Sequence, residues 1–419
     1  MPDKEPTSVQ TTGFKVLVKI AKLDYTADLK SIQIISNMVN AYPTVKISIL
    51  LDPTDIIRER IYDKESIMIT IQYKGNETVD AYKASVIDEF NLELVSLTSA
   101  SAFGVTKEQA INKTREKKEY EFTTVPKKSF ETISATVNDV FIGKTIKEIL
   151  EKIVKDKSQS KLVLDTENLN TEVIPQVLIP PTTLYKSIQF LDDRYGIFKG
   201  ACNLGFCSYD NMLYVSNLSA RMNKNQTFTV YQLAVDSTEN ENIIKKCVDG
   251  EHFYCYTDIV SKYHGNTVFA AKAMKNVYIY KPLNALFSNY ELNTNDVCQK
   301  YGLISSNKNI DYNPMVENRV SYKNTFLGNS DGTDHYASTA RLARQVALMS
   351  TVNIRLERNL PLMNLMKVGE TVKFDPMTID YADYSGKYIL KASDISLTKP
   401  QGNWKPTATI ILCRTNKTI

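Results

Sequence analysis

The sequence predicts an α+β chain that is mainly β, with two antiparallel β units flanking an α+β unit. Three observations predict it. The last fifty residues, Val368 to Thr418, read strand, strand, strand, with polar, proline-bearing loops between them. A stretch near the N-terminus carries the period-two alternation of half-buried strands. Between the two lies a segment with a helix N-terminus signature and an apolar stripe at helical spacing.

Residues 1–12 are polar and read as a flexible tail. In Phe14 to Ile20, Phe14, Val16, Val18 and Ile20 share one face, and Lys15 and Lys19 lie on the other. Ser31 to Ile34 repeats the pattern, and Asn40 to Pro43 makes a turn. Val45, Ile47, Ile49 and Leu51 alternate with more polar neighbours. Asp52 to Asp55 stops that strand and starts a short helical turn to Arg60. Ile67, Ile69, Ile71 and Tyr73 alternate again, and Ala81 to Leu97 holds one or two more strands. Residues 13 to about 98 are therefore an antiparallel β unit small enough to close as a barrel. A charged, irregular stretch follows, and Tyr120 to Val125 is a strand.

Thr145-Ile146-Lys147-Glu148 fits a capping box, with Thr145 as N-cap and Glu148 reaching back. Ile146, Ile149, Leu150, Ile153 and Val154 form one apolar stripe, and Lys152, Lys155 and Lys157 sit near the negative helix end. Lys161 to Leu164 is a strand. Ile179-Pro180-Pro181-Thr182 reads as a stiff lead-in to a second helix, on which Leu184, Ile188, Leu191 and Tyr195 align and which Gly196 ends. Strands at Ala201–Tyr209 and Met212–Leu218 make a hairpin across Asp210-Asn211. Later strands are expected at Phe228–Tyr231, Phe253–Tyr256, Val277–Tyr280 and Arg319–Tyr322, then a helix from Ser338 to about Met349. Val352, Ile354 and Leu356 alternate in a strand that leads into the C-terminal meander.

At 419 residues the prior is two to four domains, and 43% hydrophobic content is ample for packed cores. Lys+Arg 51 against Asp+Glu 47 leaves only +4, which does not suggest the clustered basic face of a nucleic-acid binder. Tyrosine is abundant at 24; it suits large interfaces but is equally a good strand residue. The six cysteines have no CxxC pair and follow no secretion signal, so reduced thiols made in a cytosol are expected. The apolar runs are strand-sized, so no helical membrane span is expected. Three N-glycosylation triplets, starting at Asn76, Asn112 and Asn225, are read as chance matches.

No catalytic, cofactor or metal residue is assigned. Gly143-Lys144-Thr145 resembles the end of a phosphate loop, but Asn138 stands where the leading Gly belongs, and Thr145 serves better as a cap. His252 and Cys255 are three apart in a strand and point to opposite faces, which is awkward for shared ligation. Asp192-Asp193 diverge by about 100° on a helix and read as a solvated face beside Arg194. Trp404, in a loop between Pro400 and Pro406, has two readings: an anchor for a partner, or a ring folded back over its own barrel. Tyr384 and Tyr388 join it as candidate partner-interface residues.

Three stretches resemble the baseplate hub proteins of contractile-tailed bacteriophages. They are Lys15 to Tyr73 with its Asn40-Ala41-Tyr42-Pro43 turn; Lys144-Thr145-Ile146-Lys147-Glu148-Ile149-Leu150 through Ile179-Pro180-Pro181 to the Asp210-Asn211 hairpin; and Val352 to Arg414 with Val368-Gly369-Glu370-Thr371-Val372 and Ser385-Gly386-Lys387-Tyr388. The match is one of pattern and order over about two thirds of the chain. The resemblance implies a tail at 1–12, a tail-tube-like antiparallel β-barrel domain with a charged loop at 13–135, an α+β hub domain at 136–224 and a second tube-like barrel at 225–419. Insertions at about 237–335 depart from the family. It implies a non-enzymatic structural protein of the virion tail baseplate, assembled in the host bacterial cytoplasm. Three chains would give six similar barrels, a pseudo-sixfold ring joining the tail tube or its initiator to a central spike inside surrounding wedge proteins. DNA would pass through without specific binding, along a wall lacking clustered Lys or Arg. The alternatives are a secretion-system spike or hub protein and, from another class, a receptor-binding or glycan-active tail protein.

Overall fold

The computed structural model describes residues 13–51, 67–74, 86–102, 117–256, 260–262, 279–288, 350–356 and 365–414, apart from short breaks inside these spans. The expected tail at 1–12, the turn after Asp52, the strand at Arg319 and the helix from Ser338 lie outside the described residues. The protein is mainly β with a few helices.

The first strands are β1 (Gly13–Ile20), β2 (Leu23–Asp24), β3 (Leu29–Asn37), β4 (Thr44–Leu51), β5 (Ile67–Lys74), β6 (Val86–Ser96), β7 (Ser101–Ala102) and β8 (Lys118–Pro126). Alternation fixes which face each buries, because side chains switch sides every residue. Val16, Val18 and Ile20 of β1, alternate residues of β4, and Ile67, Ile69 and Ile71 of β5 all face the core. Register follows: Ile32 lies opposite Ile47, and Ile34 opposite Val45. Ile47 in turn faces Phe122, and Ile49 faces Tyr120. A one-residue slip would turn every one of these side chains to solvent.

The middle of the chain builds α1 (Lys127–Ser134), β9 (Thr136–Thr145), α2 (Ile146–Lys157), β10 (Lys161–Leu164), β11 (Val173–Thr183), α3 (Leu184–Tyr195), β12 (Cys202–Cys207), β13 (Met212–Asn217) and α4 (Leu218–Met222). The capping box forms as the sequence dictates. Thr145 Oγ1 accepts from the Glu148 N–H, and Glu148 Oε2 accepts from the Thr145 N–H at 2.9 Å. The stripe of α2 and the aligned residues of α3 pack into one core with Phe141, Val177 and Phe198. Thr145→Ala is expected to cost about 1 kcal/mol by removing the cap; urea unfolding of the two proteins checks it.

Two readings of this region are corrected. Ile179 to Thr182 does lead straight into the helix, but as the last part of a paired strand. β11 pairs only with β9, so the prolines, which lack an N–H, sit on an edge strand, and a bulge falls between Ile179 and Thr182. Asp192 is buried rather than solvated: its Oδ1 accepts the Ile197 N–H at 3.0 Å, satisfying the chain just past α3.

The last elements are β14 (Phe228–Gln232), α5 (Asn240–Lys246), β15 (His252–Cys255), β16 (Val260–Lys262), β17 (Ile279–Lys281), β18 (Leu286–Ser288), β19 (Ser350–Leu356), β20 (Thr371–Pro376), β21 (Gly386–Thr398) and β22 (Lys405–Arg414). The expected meander is there: β20, β21, β22 and β19 pair antiparallel in turn. β14 departs from the antiparallel expectation, lying parallel to both β20 and β15. The 13-residue β21 also pairs along its second half with β3. That join puts both ends of the chain in one 15-stranded sheet over one shared core. Gln33 Nε2 marks it, donating to both carboxylate oxygens of Asp394 at 2.9 Å. Among the described residues the pairings run as a branched, open path.

Candidate functional site

Of the three aromatic residues singled out from sequence, Trp404 is placed apart from Tyr384 and Tyr388, which lie together. Trp404 lies just before β22, beside the Thr398 end of β21, and Tyr388 lies near the other end of that strand. Ten residues of strand separate those ends, roughly 33 Å. Of its two readings, Trp404 follows the second: it is 8% exposed in the main core, with Lys399 Nζ 5.8 Å from the ring centroid. Tyr388 is wholly buried, meets Phe374 edge to face at 6.2 Å, and donates its hydroxyl to the Tyr384 carbonyl at 2.7 Å. Tyr384 is half-buried against the same core.

The surface the sequence reading missed is the outer face of the β9–β11 ribbon. Residues paired across antiparallel strands share a face, and Val140 pairs with Leu178, Ile142 with Gln176. Val140 is 54% exposed, Ile142 75% and Leu178 58%, with Val173 at 63% on the rim. The opposite face carries Val137, Phe141, Val177 and Ile179, all buried among the residues of α2 and α3. A ribbon apolar on both sides differs from the half-buried strands of the long sheet, and such patches mark interaction surfaces. The sequence alone does not single the ribbon out: Val140-Phe141-Ile142 and Val177-Leu178-Ile179 are apolar runs, but so are Val16-Leu17-Val18, Ile49-Leu50-Leu51 and Ile67-Met68-Ile69.

No ionisable group stands on the Val140, Ile142, Gln176 and Leu178 rows. On this face charge is confined to the end of the ribbon, where Lys144 Nζ meets Glu148 Oε1 at 2.9 Å; Asp139 pairs with Ile179 on the other face. The Thr145 N–H and Lys144 hold the Glu148 carboxyl below the usual carboxylate range.

The arrangement offers little for chemistry. Burial pushes the Cys413 thiol up to about 12, and burial, with Asp165 and Asp193 nearby, pushes Cys202 higher still, so both stay protonated. His252 is half-buried and stacked on Tyr231, ring centroids 5.9 Å apart. Among the described residues no three His, Cys, Asp or Glu side chains converge as metal ligands. No described helix is long and apolar enough to cross a membrane.

No protein-family model matches the chain, and no curated protein matches it. Solved structures do. The tail protein from Neisseria meningitidis MC58 overlays with a TM-score of 0.55 at 12% identity, covering 96% of this chain and 97% of that one. The 43 kDa tail protein of prophage MuSo2 from Shewanella oneidensis gives 0.53 at 10% identity, covering 97% and 100%. A type VI secretion system component from E. coli gives 0.48 at 10% identity, covering 95% and 76%, too weak a likeness to carry weight. The first two show that this chain has the fold of those tail proteins along nearly its full length.

Proposed function

We propose that this chain is a structural component of a phage-type tail, acting as the central baseplate hub. The observation that carries the reading is the end-to-end likeness to two tail proteins, with almost nothing left over in either chain. In this reading three copies form a ring of pseudo-sixfold symmetry between the tail tube or its initiator and a separate spike subunit, within a surround of wedge proteins. The β-rich ends supply the tube-like parts, and the 136–224 region carries a contact between copies. The near-balanced charge of +4 suits a channel through which DNA slides without being held. No chemistry is assigned.

The ring needs a face that a second copy covers. The charge-free Val140, Ile142, Gln176 and Leu178 face of the ribbon suits that role, since two copies meeting there oppose no like charges. The test is the solution mass, alone and mixed with the candidate spike. Particles near three times 47.5 kDa support the hub; a monomer under both conditions overturns it in favour of the receptor-binding or glycan-active alternative. In a protein that does trimerise, Ile142→Glu is expected to weaken assembly at least tenfold with the melting temperature unchanged, because the side chain is already solvated in the free chain. Analytical ultracentrifugation beside thermal melting separates the two effects.

A further inference from the structure

Residues 127–222 share no strand pairing with the rest of the described chain. Their two small sheets, β9–β11 and β10–β13–β12, are complete within the segment. Their core is distinct from the one under the long sheet. The chain passes into this unit from β8 to α1 and out of it from α4 towards β14. The inward crossing is tied by one half-exposed ion pair, Lys127 Nζ to Glu93 at 2.9 Å, with α1 packed on β6 and β8 and Tyr42 packed on the unit's core.

The outward crossing is built differently. Arg221 of α4 faces a carboxylate from each side. Its Nε donates to Asp165 Oδ2 at 3.2 Å, and its Nη1 to Glu370 Oε1 at 3.1 Å. Asp165 directly follows β10, inside the unit; Glu370 directly precedes β20, in the long sheet. Each carboxylate is held from its own side. Asp165 Oδ2 also accepts the Asn217 N–H at 3.0 Å. Glu370 accepts from Lys367 Nζ at 3.2 Å and from the Thr227 hydroxyl at 2.9 Å. The Arg221 carbonyl accepts the Thr371 hydroxyl at 2.9 Å. The three ionic side chains are 13–17% exposed, so water screens them little.

We propose that Arg221 is the pin that sets the tilt of the 127–222 unit against the long sheet, and that releasing it lets the unit turn as a rigid body. Three features of the structure carry this. The cores are separate, so turning the unit leaves each of them whole and disturbs only the seam at α1 and Tyr42. At the outward crossing the guanidinium is the group that meets a carboxylate on each side, beside Lys367 Nζ at 4.2 Å from the Tyr214 ring centroid, and its planar fork serves two carboxylates at once where a lysine is a single point charge. Its removal also leaves Asp165 facing Glu370, which turns a clasp into a repulsion. The proposal rests on these contacts and is independent of the hub reading.

The experiment is a distance measurement on the full chain. Spin labels are attached to ketone-bearing residues placed at the exposed positions Lys30, on β3, and Lys155, on α2, which leaves the native cysteines untouched. The unsubstituted clasp should give one narrow distance distribution. Arg221→Met should at least double its width while β4 and α2 stay protected from amide exchange as in a folded core, and Arg221→Lys should fall between the two. Glu370→Gln opens the same clasp from the sheet side and is read alone where Arg221→Met fails to fold. A distribution that stays narrow in the variants overturns the proposal. So does broadening that appears only where protection in both cores is lost altogether, because that is unfolding and not the release of a pin.

Discussion

Tyr388→Ala should destabilise the protein by about 3 to 5 kcal/mol, the range for removing a large buried aromatic side chain. The ring is wholly buried between the meander strands and meets Phe374 edge to face. Loss of that volume leaves a cavity that β20 and β22, paired to either side of β21, cannot close without breaking register. Tyr388→Phe keeps the ring and loses only the hydroxyl bond to the Tyr384 carbonyl, so about 1 kcal/mol is expected. Urea unfolding of the three proteins measures both steps. A cost below 1 kcal/mol for the alanine variant would show that the ring is not the packing centre described above. The pair also bears on assembly: a residue with no exposed area gives a partner nothing to touch, so Tyr388→Phe should leave the solution mass unchanged.

Much of the fold was legible because local pattern determined it. Ile47, Ile49 and Leu51 had to share a face once the stretch was a strand, and Thr145 with Glu148 had to cap whatever helix followed. What was not legible depends on partners distant in sequence. Nothing near Ile34 says that Ile395 will lie opposite it, yet that pairing joins the two ends of the chain. Nothing near Phe228 says that its strand runs parallel to β20. α1 was missed for a local reason: its N-cap is Pro126, which offers no capping side chain. The aromatic candidates show the limit for sites. Residue type makes Trp404 and Tyr388 suitable anchors for a partner or for a core, and only the packing decides between them. The ribbon was a further case. Its short apolar runs match those within β1, β4 and β5, so only the pairing tells them apart, and the three prolines of β11 argued against a strand.

Glu370→Gln should remove about 2 to 3 kcal/mol of stability at pH 7, the scale of a lost pair of charge-assisted hydrogen bonds in a poorly solvated place. The pH dependence gives the sharper test. Burial pushes the Glu370 carboxyl up, but Arg221 and Lys367, with the Thr227 hydroxyl, outweigh it and hold the group below its ordinary value of 4.5. A carboxyl that ionises more readily folded than unfolded adds stability above the unfolded value and loses it as pH falls through the folded one. The unsubstituted protein should therefore lose this increment on acidification below about pH 4.5. Glu370→Gln, which has no proton to take up there, should follow a flatter course. The two unfolding free energies should differ at pH 7 and converge in acid. Asp24 and Glu148 are also held low, by hydrogen bonds at exposed positions, but both are present in each protein and cancel in the difference. A gap that stays constant from pH 7 into acid would mean that Glu370 acts through its shape and hydrogen bonds alone. The charge on the sheet side of the Arg221 clasp would then contribute nothing to holding it shut.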